Sequence, residues 1–163
     1  MKLACLNLLF IACLVLFIKC NNPSPAPGTN KIQSAIDSAE AAKTVAVEQQ
    51  VFMDAFKRGD SVAVADVYTA DAKVMNAGMA AAEGKEDIIH FFGQVFKGGP
   101  LMITTKTLGV WNTASMIVEE GKWIMADKNG EAYDHGKYLI LWKMKDGKWK
   151  KFRDCHNSDI YPK

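Results

Sequence analysis

Apolar residues follow a helical spacing in the first part of the chain and an extended pattern in the second. Up to about residue 98 they recur three and four positions apart, as on one face of an α-helix. From Leu101 onward, β-branched and aromatic residues favour extended chain. Helices followed by strands predict an α+β domain, with helices packed on one face of an antiparallel sheet.

The helical part divides into three predicted helices. The first covers residues 30–58, where Asn30 and Gln33 can form a capping pair. A short second helix covers residues 61–68, and a third covers residues 84–97. Glycine follows the first and third of these helices, where it can end a helix in the left-handed conformation.

Five strands are predicted. The first is short and covers residues 72–76, directly after the second helix. The other four cover residues 101–111, 115–126, 132–145 and 148–157. Asn129-Gly130, between two of these, is a hairpin signal, and Gly121 is a candidate position for a β-bulge.

One predicted strand does not alternate. Tyr138 to Trp142 is a run of five apolar or aromatic side chains, whereas a sheet with one wet face alternates apolar and polar residues. Both faces of this strand should therefore be covered. Helices can cover one face, and a second copy of the chain would cover the other, which predicts a homodimer through the sheet face. Cover by the N-terminal part of the first helix is the alternative.

The charge of the folded part is balanced. The formal net charge is +2, but Lys2 and Lys19 lie in the first 20 residues, which contain no acid. The rest of the chain carries the other 18 basic side chains and all 18 acidic ones. A neutral domain has no long-range field that attracts phosphates, and no nucleic-acid-binding motif is present, so no nucleic-acid partner is expected.

Residues 1–20 have the pattern of an export signal. Leu3 to Ile18 is apolar except for Asn7, and it is shorter than the about 20 residues that span a membrane. Cys20 follows, and residues 21–30 are polar and proline-rich, which is typical of a flexible tether.

This arrangement is similar to a bacterial lipoprotein signal, in which Cys20 would be lipidated and become the mature N-terminus. It predicts export to the periplasm or cell surface, with a domain at residues 31–163 held at the membrane by the lipid anchor alone. Lys19 departs from the small side chain that such a signal has before the cysteine. An uncleaved anchor and an ordinary signal peptide cut elsewhere are the alternatives.

Cysteine content excludes a disulfide scaffold. Cys5 and Cys13 lie inside the apolar segment and would be removed with it, so lipidation of Cys20 leaves Cys155 alone. No basic cluster that would activate a thiol accompanies Cys155, so a buried or half-buried structural role is expected.

Short motifs spread over residues 45–159 give the chain a family resemblance. They are Ala55-Phe56-Lys57-Arg58-Gly59-Asp60, Tyr68-Thr69-Ala70-Asp71-Ala72, Gly84-Lys85-Glu86-Asp87-Ile88, Gly136-Lys137-Tyr138-Leu139, Trp142-Lys143, Asp146-Gly147-Lys148-Trp149, Arg153-Asp154 and Asn157-Ser158-Asp159. In this order and spacing the chain resembles the SnoaL-like branch of the superfamily shared by nuclear transport factor 2 and ketosteroid isomerase. The resemblance implies a cone-shaped α+β roll, in which a curved antiparallel sheet wraps around three N-terminal helices. One fold hosts many functions, so the resemblance does not by itself imply a reaction.

The resemblance also implies where isomerase chemistry would lie, and three positions lack it. The residue matching the carboxylate base is Asn76, whose amide cannot take up a proton. The residue matching the tyrosine that stabilises the oxyanion is Phe52, which has no hydroxyl. Residues 138–142, matching the strand that carries a protonated acid, contain no carboxyl group. The cone interior should therefore lack the ionisable groups of its catalytic relatives.

The interior of such a cone is a natural ligand pocket, mostly apolar with a few polar groups. Its expected wall residues are Tyr68, Met75, Asn76, Phe91, Phe92, Trp111, Trp123, Tyr138 and Trp142. Large aromatic side chains also fill ordinary cores, and strand parity alone does not show which face is internal.

Polar candidates for chemistry lie on the last strand. Alternation places Asp154 and His156 on one face and Arg153 on the other. An Asp-x-His pair can orient an imidazole for base catalysis, or it can be a hydrogen-bonded structural pair. His90 and His135 show no spacing typical of a metal-binding motif, so neither a metal nor another cofactor is expected.

Two functions of different kinds fit the sequence. One is a non-catalytic, lipid-tethered domain that binds a small apolar molecule in its cone or contacts a protein partner. The other is a small enzyme of the polyketide-cyclase, isomerase or hydratase kind that uses Asp154 and His156. The placement of Asp154 and His156 distinguishes the two functions. The enzyme requires that both side chains point into one cavity and that no other group satisfies their hydrogen bonds.

Overall fold

In the computed structural model of the protein, the described residues are 37–99, 101–113 and 115–160. The expected export signal and tether, with Cys20 and the Asn30–Gln33 capping pair, lie outside them. Among the described residues, no helix is both long and apolar enough to span a membrane.

Three helices are present, in the order that the sequence predicts. α1 spans Ser38–Lys57, α2 spans Ser61–Asp66 and α3 spans Gly84–Phe96. The side chain of Asp37 caps α1, because it accepts a hydrogen bond from the Ala39 amide at 2.6 Å.

α2 is shorter than predicted. The sequence predicts a helix through Tyr68, but α2 ends at Asp66 and Tyr68 begins a strand. Gly59 has a φ of 66°, so the left-handed end predicted for the first helix is present. Asp60 then caps α2 by accepting a hydrogen bond from the Ala63 amide at 2.9 Å.

Six strands form a curved sheet. They are β1 (Tyr68–Asn76), β2 (Ala82–Glu83), β3 (Leu101–Asn112), β4 (Met116–Asp127), β5 (Ala132–Lys145) and β6 (Lys148–Ser158). β1 begins at Tyr68 rather than at Ala72, and the short β2 is not predicted by the sequence pattern.

The order of strands in the sheet is β2-β1-β6-β5-β4-β3. Consecutive strands from β3 to β6 pair antiparallel as predicted, and with the helices they confirm the α+β class. β1 pairs with β6 in parallel, so the prediction of a purely antiparallel sheet is wrong at this pairing. Parallel pairing needs a long crossover, and here α3 and the intervening strands connect β1 to β6.

Gly121 is not bulged. It pairs in register with Tyr138 of β5, and the irregularity at this level lies on β3 between Thr107 and Gly109. The ring of Tyr138 lies across Gly121, so that a Cβ there would be 2.3 Å from the phenol carbon and oxygen. Glycine is therefore required by the close approach of this ring.

The buried core lies between the helices and the inner face of the sheet. Phe52 of α1 meets Phe92 of α3 edge to face, with 6.1 Å between ring centroids. In a second part of the core, α1 packs on β4 and β5 through Val45, Ile117 and Trp142.

The run from Tyr138 to Trp142 alternates in burial although every residue is apolar or aromatic. Tyr138, Ile140 and Trp142 are buried on the inner face, whereas Leu139 is 47% exposed on the outer face. The described chain therefore leaves the outer face uncovered at Leu139. The alternative cover is the N-terminal part of the predicted first helix. Its residues 30–36 lie outside the described residues, and its described part packs Ala41 and Val45 into the inner core rather than on the outer face.

Candidate ligand cavity

α1, α3 and the inner face of the sheet line an open-mouthed cavity of about 530 Å³. Its aromatic wall residues are Phe52, Phe56, Tyr68, Phe91, Phe92, Trp123 and Tyr138. The volume lies within the roughly 300–1,000 Å³ that is typical of small-molecule pockets. The cavity is therefore large enough for a ligand of several rings or a short branched chain.

Six residues that the sequence places in the wall lie there in the structure. They are Tyr68, Asn76, Phe91, Phe92, Trp123 and Tyr138. Phe52 also lines the cavity. Asn76 and Phe52, the residues that the resemblance matches to the isomerase base and tyrosine, thus place an amide and a phenyl ring in the wall.

Trp111 does not line the cavity, which corrects the sequence-based prediction. Its side chain is 53% exposed on β3. Thr105 lines the cavity, so unbroken alternation would turn Trp111 inward as well. The register shift between Thr107 and Gly109 reverses this parity, and Val110 packs against the core instead.

Met75 and Trp142 also lie outside the cavity wall, contrary to the prediction. Met75 pairs with Cys155 of β6, and Cys155 is exposed rather than buried or half-buried as expected. Trp142 faces inward but belongs to the core beside the cavity, where its Nε1 donates a hydrogen bond to Glu119 at 3.0 Å.

A β-bulge in β6 brings Lys151 into the cavity wall. The pairing of β6 with β5 shifts so that Phe152 has no partner on β5. Because of this extra residue, Lys151 and Asp154 face the same side although they are three positions apart, and both line the cavity.

Asp154 is the centre of a buried polar cluster. The Tyr68 hydroxyl donates a hydrogen bond to Asp154 Oδ2 at 2.7 Å, and Lys151 Nζ lies 3.6 Å from the same oxygen. Lys151 is 1% exposed and Asp154 is 6% exposed. Lys151 Nζ also lies 3.6 Å from the centroid of the Phe52 ring. The rings of Tyr68 and Trp142 lie farther away, each with its centroid at 5.6 Å. One carboxylate and three aromatic rings thereby compensate the buried ammonium group.

The environment shifts the pKa of each member of this cluster. Burial lowers the pKa of Lys151, although the charges of Asp154 and Glu119 oppose the shift. Burial alone would raise the pKa of Asp154, but Lys151, His156 and Tyr68 outweigh it and hold that pKa below its usual range. Burial, together with the Asp154 charge, raises the pKa of Tyr68 well above its ordinary value. Asp154 is therefore ionised and Tyr68 protonated near neutral pH.

His156 lies in the same cavity wall but makes a looser contact with Asp154. Its Nδ1 is 3.7 Å from Asp154 Oδ1, which is longer than a hydrogen bond, and its side chain is 23% exposed. The imidazole ring meets Trp123 edge to face, with centroids 6.2 Å apart.

A catalytic Asp154–His156 pair requires that both side chains point into one cavity and that no other group satisfies them. The structure meets the first requirement but not the second. Both side chains point into one cavity, and Arg153 on the other face donates a hydrogen bond to the Asp71 carbonyl. Asp154, however, is already bound by Tyr68, so orienting His156 is not its sole role.

A second carboxylate, Glu119 of β4, is completely buried next to the cavity. The hydroxyls of Tyr138 and Thr107 donate hydrogen bonds to its Oε1 at 2.7 and 2.8 Å. Gln49 Nε2 lies 3.1 Å from Oε2, which also accepts the bond from the Trp142 indole. Donors therefore surround both oxygens, as a buried carboxylate requires.

The expectation that the cavity wall lacks ionisable machinery like that of its catalytic relatives is wrong, because a buried carboxylate lies in the wall. Lys151 and Asp154 line it directly, and Glu119 binds Gln49 and Tyr138, which are wall residues. Residues 138–142 contain no acid, as the sequence shows, but the neighbouring strand supplies one. Alternation along the strand could have identified Glu119 from the sequence. It places Glu119 on the same face of β4 as the apolar residues Ile117 and Trp123, which is the buried face.

The histidines outside the cavity do not form a metal site. Among the described residues, no group of three or more His, Cys, Asp or Glu side chains is placed to hold a metal ion. His90 is exposed near Gln94, and His135 is exposed on β5.

A layer of helices followed by a curved sheet, with an apolar cavity between them, defines the fold class of nuclear transport factor 2 and ketosteroid isomerase. The family model of the SnoaL-like domain matches residues 50–152. The chain belongs to the SnoaL-like domain family, which confirms the resemblance found in the sequence.

Solved structures share this fold at low sequence identity. A ketosteroid isomerase-like protein from Erwinia carotovora atroseptica is 22% identical, with a TM-score of 0.63 over 77% of this chain and 100% of that one. A domain of unknown function with a cystatin-like fold from Nostoc punctiforme is 12% identical, with a TM-score of 0.67 over 77% and 81% of the two chains. An NTF2-like protein from Novosphingobium aromaticivorans is 10% identical, with a TM-score of 0.66 over 76% and 85%. Such identities show the fold alone, and no functionally curated protein matches the chain.

Proposed function

We propose that this SnoaL-like domain binds one small, largely apolar molecule in its cavity, with a polar group of that molecule directed at β6. The observation that carries the proposal is the cavity of about 530 Å³ with its mostly aromatic and aliphatic wall. An apolar space of this size lacks the dispersion contacts of a filled core, so a bound molecule would recover them.

The polar side chains of the wall define how the molecule would be oriented. β6 contributes Lys151, Asp154 and His156 along one face, and their burial decreases in that order toward the exposed end of the strand. A few fixed polar groups in an apolar pocket select orientation rather than supply most of the binding energy. The apolar body of the ligand would then lie among the phenylalanines of α1 and α3.

Native mass spectrometry tests this proposal directly, because it weighs the protein together with any molecule that it retains. The purified protein is incubated in a hydrophobic metabolite extract, freed of unbound compounds and sprayed under non-denaturing conditions. We expect a single added mass per chain, because one cavity holds one molecule of this size. Spectra that contain the ligand-free mass alone would refute the binding function.

A second candidate function is proton transfer by His156. It is favoured by one observation, that the half-buried imidazole lines the cavity beside the Asp154 carboxylate. A probe ketone with exchangeable α-protons, 6-methoxy-2-acetonaphthone in D₂O, reports such transfer by NMR. His156→Gln should slow catalysed exchange by about 100-fold or more, and His135→Gln, an exposed control, should not. Equal exchange in the His156→Gln variant and the wild type would exclude this candidate.

We further propose that the domain is exported and tethered by a lipid on Cys20. Support comes from the apolar segment that precedes Cys20 and the proline-rich stretch after it. Cys20→Ser should move the protein from the membrane fraction to the soluble fraction, whereas Cys5→Ser should leave it in the membrane. A membrane-bound Cys20→Ser variant would contradict acylation.

A further inference from the structure

Lys151 is an amine in the cavity wall whose neighbours are one carboxylate and three aromatic rings. Its Nζ is 3.6 Å from Asp154 Oδ2 and 3.6 Å from the centroid of the Phe52 ring, and neither contact is a hydrogen bond. The side chain is 2% exposed and yet lines the cavity. A molecule in the cavity would therefore lie next to an amine that is shielded from bulk water.

We propose that Lys151 forms a covalent imine with the carbonyl carbon of an aldehyde or ketone that occupies the cavity. This inference rests on the proposed binding function and adds the chemical class of the ligand. It stands on the placement of three groups: the bulge in β6 turns Lys151 inward, and Asp154 and the Tyr68 hydroxyl lie beside it.

The step balances without an oxidant or a reductant. The Lys151 ammonium gives one proton to Asp154, and its lone pair forms the C–N bond with the carbonyl carbon. The carbonyl oxygen takes up this proton and one more from the nitrogen, the C–O bond breaks, and water leaves. The product is a protonated imine, so the positive charge of the side chain remains beside Asp154.

The groups that face Lys151 suit this chemistry. Burial lowers the pKa of Lys151, while Asp154 and Glu119 act in the opposite direction, so more free amine is present near neutral pH than in an exposed lysine. Burial beside Asp154 raises the pKa of Tyr68, which therefore keeps its proton and, by donating it to Asp154 Oδ2, holds this carboxylate beside the amine.

Reductive trapping tests the proposal. The full chain is treated at about pH 7 with 6-methoxy-2-naphthaldehyde and sodium cyanoborohydride, which reduces an imine to a stable amine. Peptide mapping then compares Lys151 with Lys148, an exposed lysine on the same strand. We expect Lys151 to carry at least about tenfold more adduct, because the cavity holds the aldehyde next to this amine. Equal labelling of the two lysines in the wild-type chain would overturn the inference.

Variants and an unreactive analogue complete the test. Lys151→Arg keeps the charge but not the nucleophile and should abolish the dominant adduct, whereas Lys148→Arg should preserve it. 2-Methoxynaphthalene has the same ring system without the aldehyde, and its binding is followed by its fluorescence. Binding of this analogue without an adduct at Lys151 would overturn the imine and leave the binding function intact. Failure of both probes to bind would overturn both proposals.

Discussion

At the residue scale, Glu119 is the most constrained polar group in the described part of the chain. It is 0% exposed, and four side chains donate hydrogen bonds to it. One of these donors, the Trp142 indole, cannot reverse its role. An amide at this position could keep its oxygen toward Trp142 and Gln49, but it would carry no charge to strengthen these bonds. Its NH₂ group would meet the hydroxyls of Tyr138 and Thr107, which would have to turn their hydrogens away in a buried site.

Glu119→Gln should therefore destabilise the fold by about 1–3 kcal/mol. Glu120 is the matched control, because it lies next on the same strand, faces outward and is exposed. Glu120→Gln should change stability by less than about 0.5 kcal/mol. Urea unfolding of both variants measures the difference, and equal stability of the two would show that the buried network contributes nothing.

Asp154 makes stability depend on pH in a defined direction. Its pKa in the folded protein lies below the unfolded value of about 4. The carboxylate therefore contributes stability that is complete above about pH 4 and is lost as pH falls toward the folded pKa. Asp154→Asn removes this contribution and leaves Lys151 without its counter-charge, which costs about 3–5 kcal/mol near pH 7.

The stability difference between the wild type and Asp154→Asn should therefore shrink as pH falls below about 4. Urea unfolding at several pH values measures it, with Asp146→Asn on an exposed turn as the control. A difference that stays constant down to the lowest pH would mean that Asp154 is not the group that couples folding to protons.

At the element scale, β-bulges and close approaches decide which side chains reach the cavity. Gly121 allows the ring of Tyr138 to lie across β4 and to reach Glu119. A methyl group at this position would lie 2.3 Å from the Tyr138 ring and 2.6 Å from the Lys106 carbonyl oxygen. Neither the ring nor the backbone can move away without disturbing the buried network.

Gly121→Ala should destabilise the protein by about 1–3 kcal/mol. Gly93 is the control, because it lies inside α3 and a Cβ there would meet nothing closer than Ser61 Oγ at 3.9 Å. Gly93→Ala should be neutral or stabilising by up to about 1 kcal/mol. Thermal unfolding of both variants checks this, and a neutral Gly121→Ala would contradict the described packing of Tyr138.

Local patterns predict the elements well because each helix and strand has its own periodicity. Gly59-Asp60 marks the break between α1 and α2, and the strands from β3 to β6 lie where β-branched residues place them. The face of the sheet on which a side chain lies is harder to predict, because an extra residue in a strand reverses the alternation beyond it. The irregularity near Gly109 turns Trp111 outward, and the bulge at Phe152 turns Lys151 inward.

The candidate site is predicted less completely than the fold, for a physical reason. Tyr68 and Tyr138 are found in the wall because aromatic residues on inward faces are expected there. Glu119 and Lys151 are missed as parts of the site, because charged residues on strands are normally solvated. Their burial depends on partners from α1, β1 and β5 that only the folded chain brings together.

At the scale of the whole molecule, the outer sheet face is the surface that a second copy would cover. Trp111, Val118 and Leu141 occupy matched positions on three neighbouring strands, and Leu139 lies on the same face, 47% exposed. The balanced charge of residues 21–163 means that two copies do not repel each other over long range. Together these features support the predicted homodimer.

Sedimentation of residues 21–163 should show a dimer at micromolar concentration. Leu139→Lys should convert it to a monomer, because it places a charge on the apolar face. Val47→Lys is the control, since Val47 is 62% exposed on α1 rather than on the sheet. A wild-type domain that sediments only as a monomer would show that this face has another role.

The central claim is that the cavity holds a ligand, and a matched pair of variants tests it most directly. Thr105 lines the cavity, whereas Thr104 next to it on β3 is exposed and outside the wall. In native mass spectra after incubation with the same metabolite extract, the wild type and Thr104→Trp should retain one added mass, and Thr105→Trp should lose it because the indole fills the space. Equal retention by both tryptophan variants, or retention by none of the three proteins, would contradict binding in the cavity.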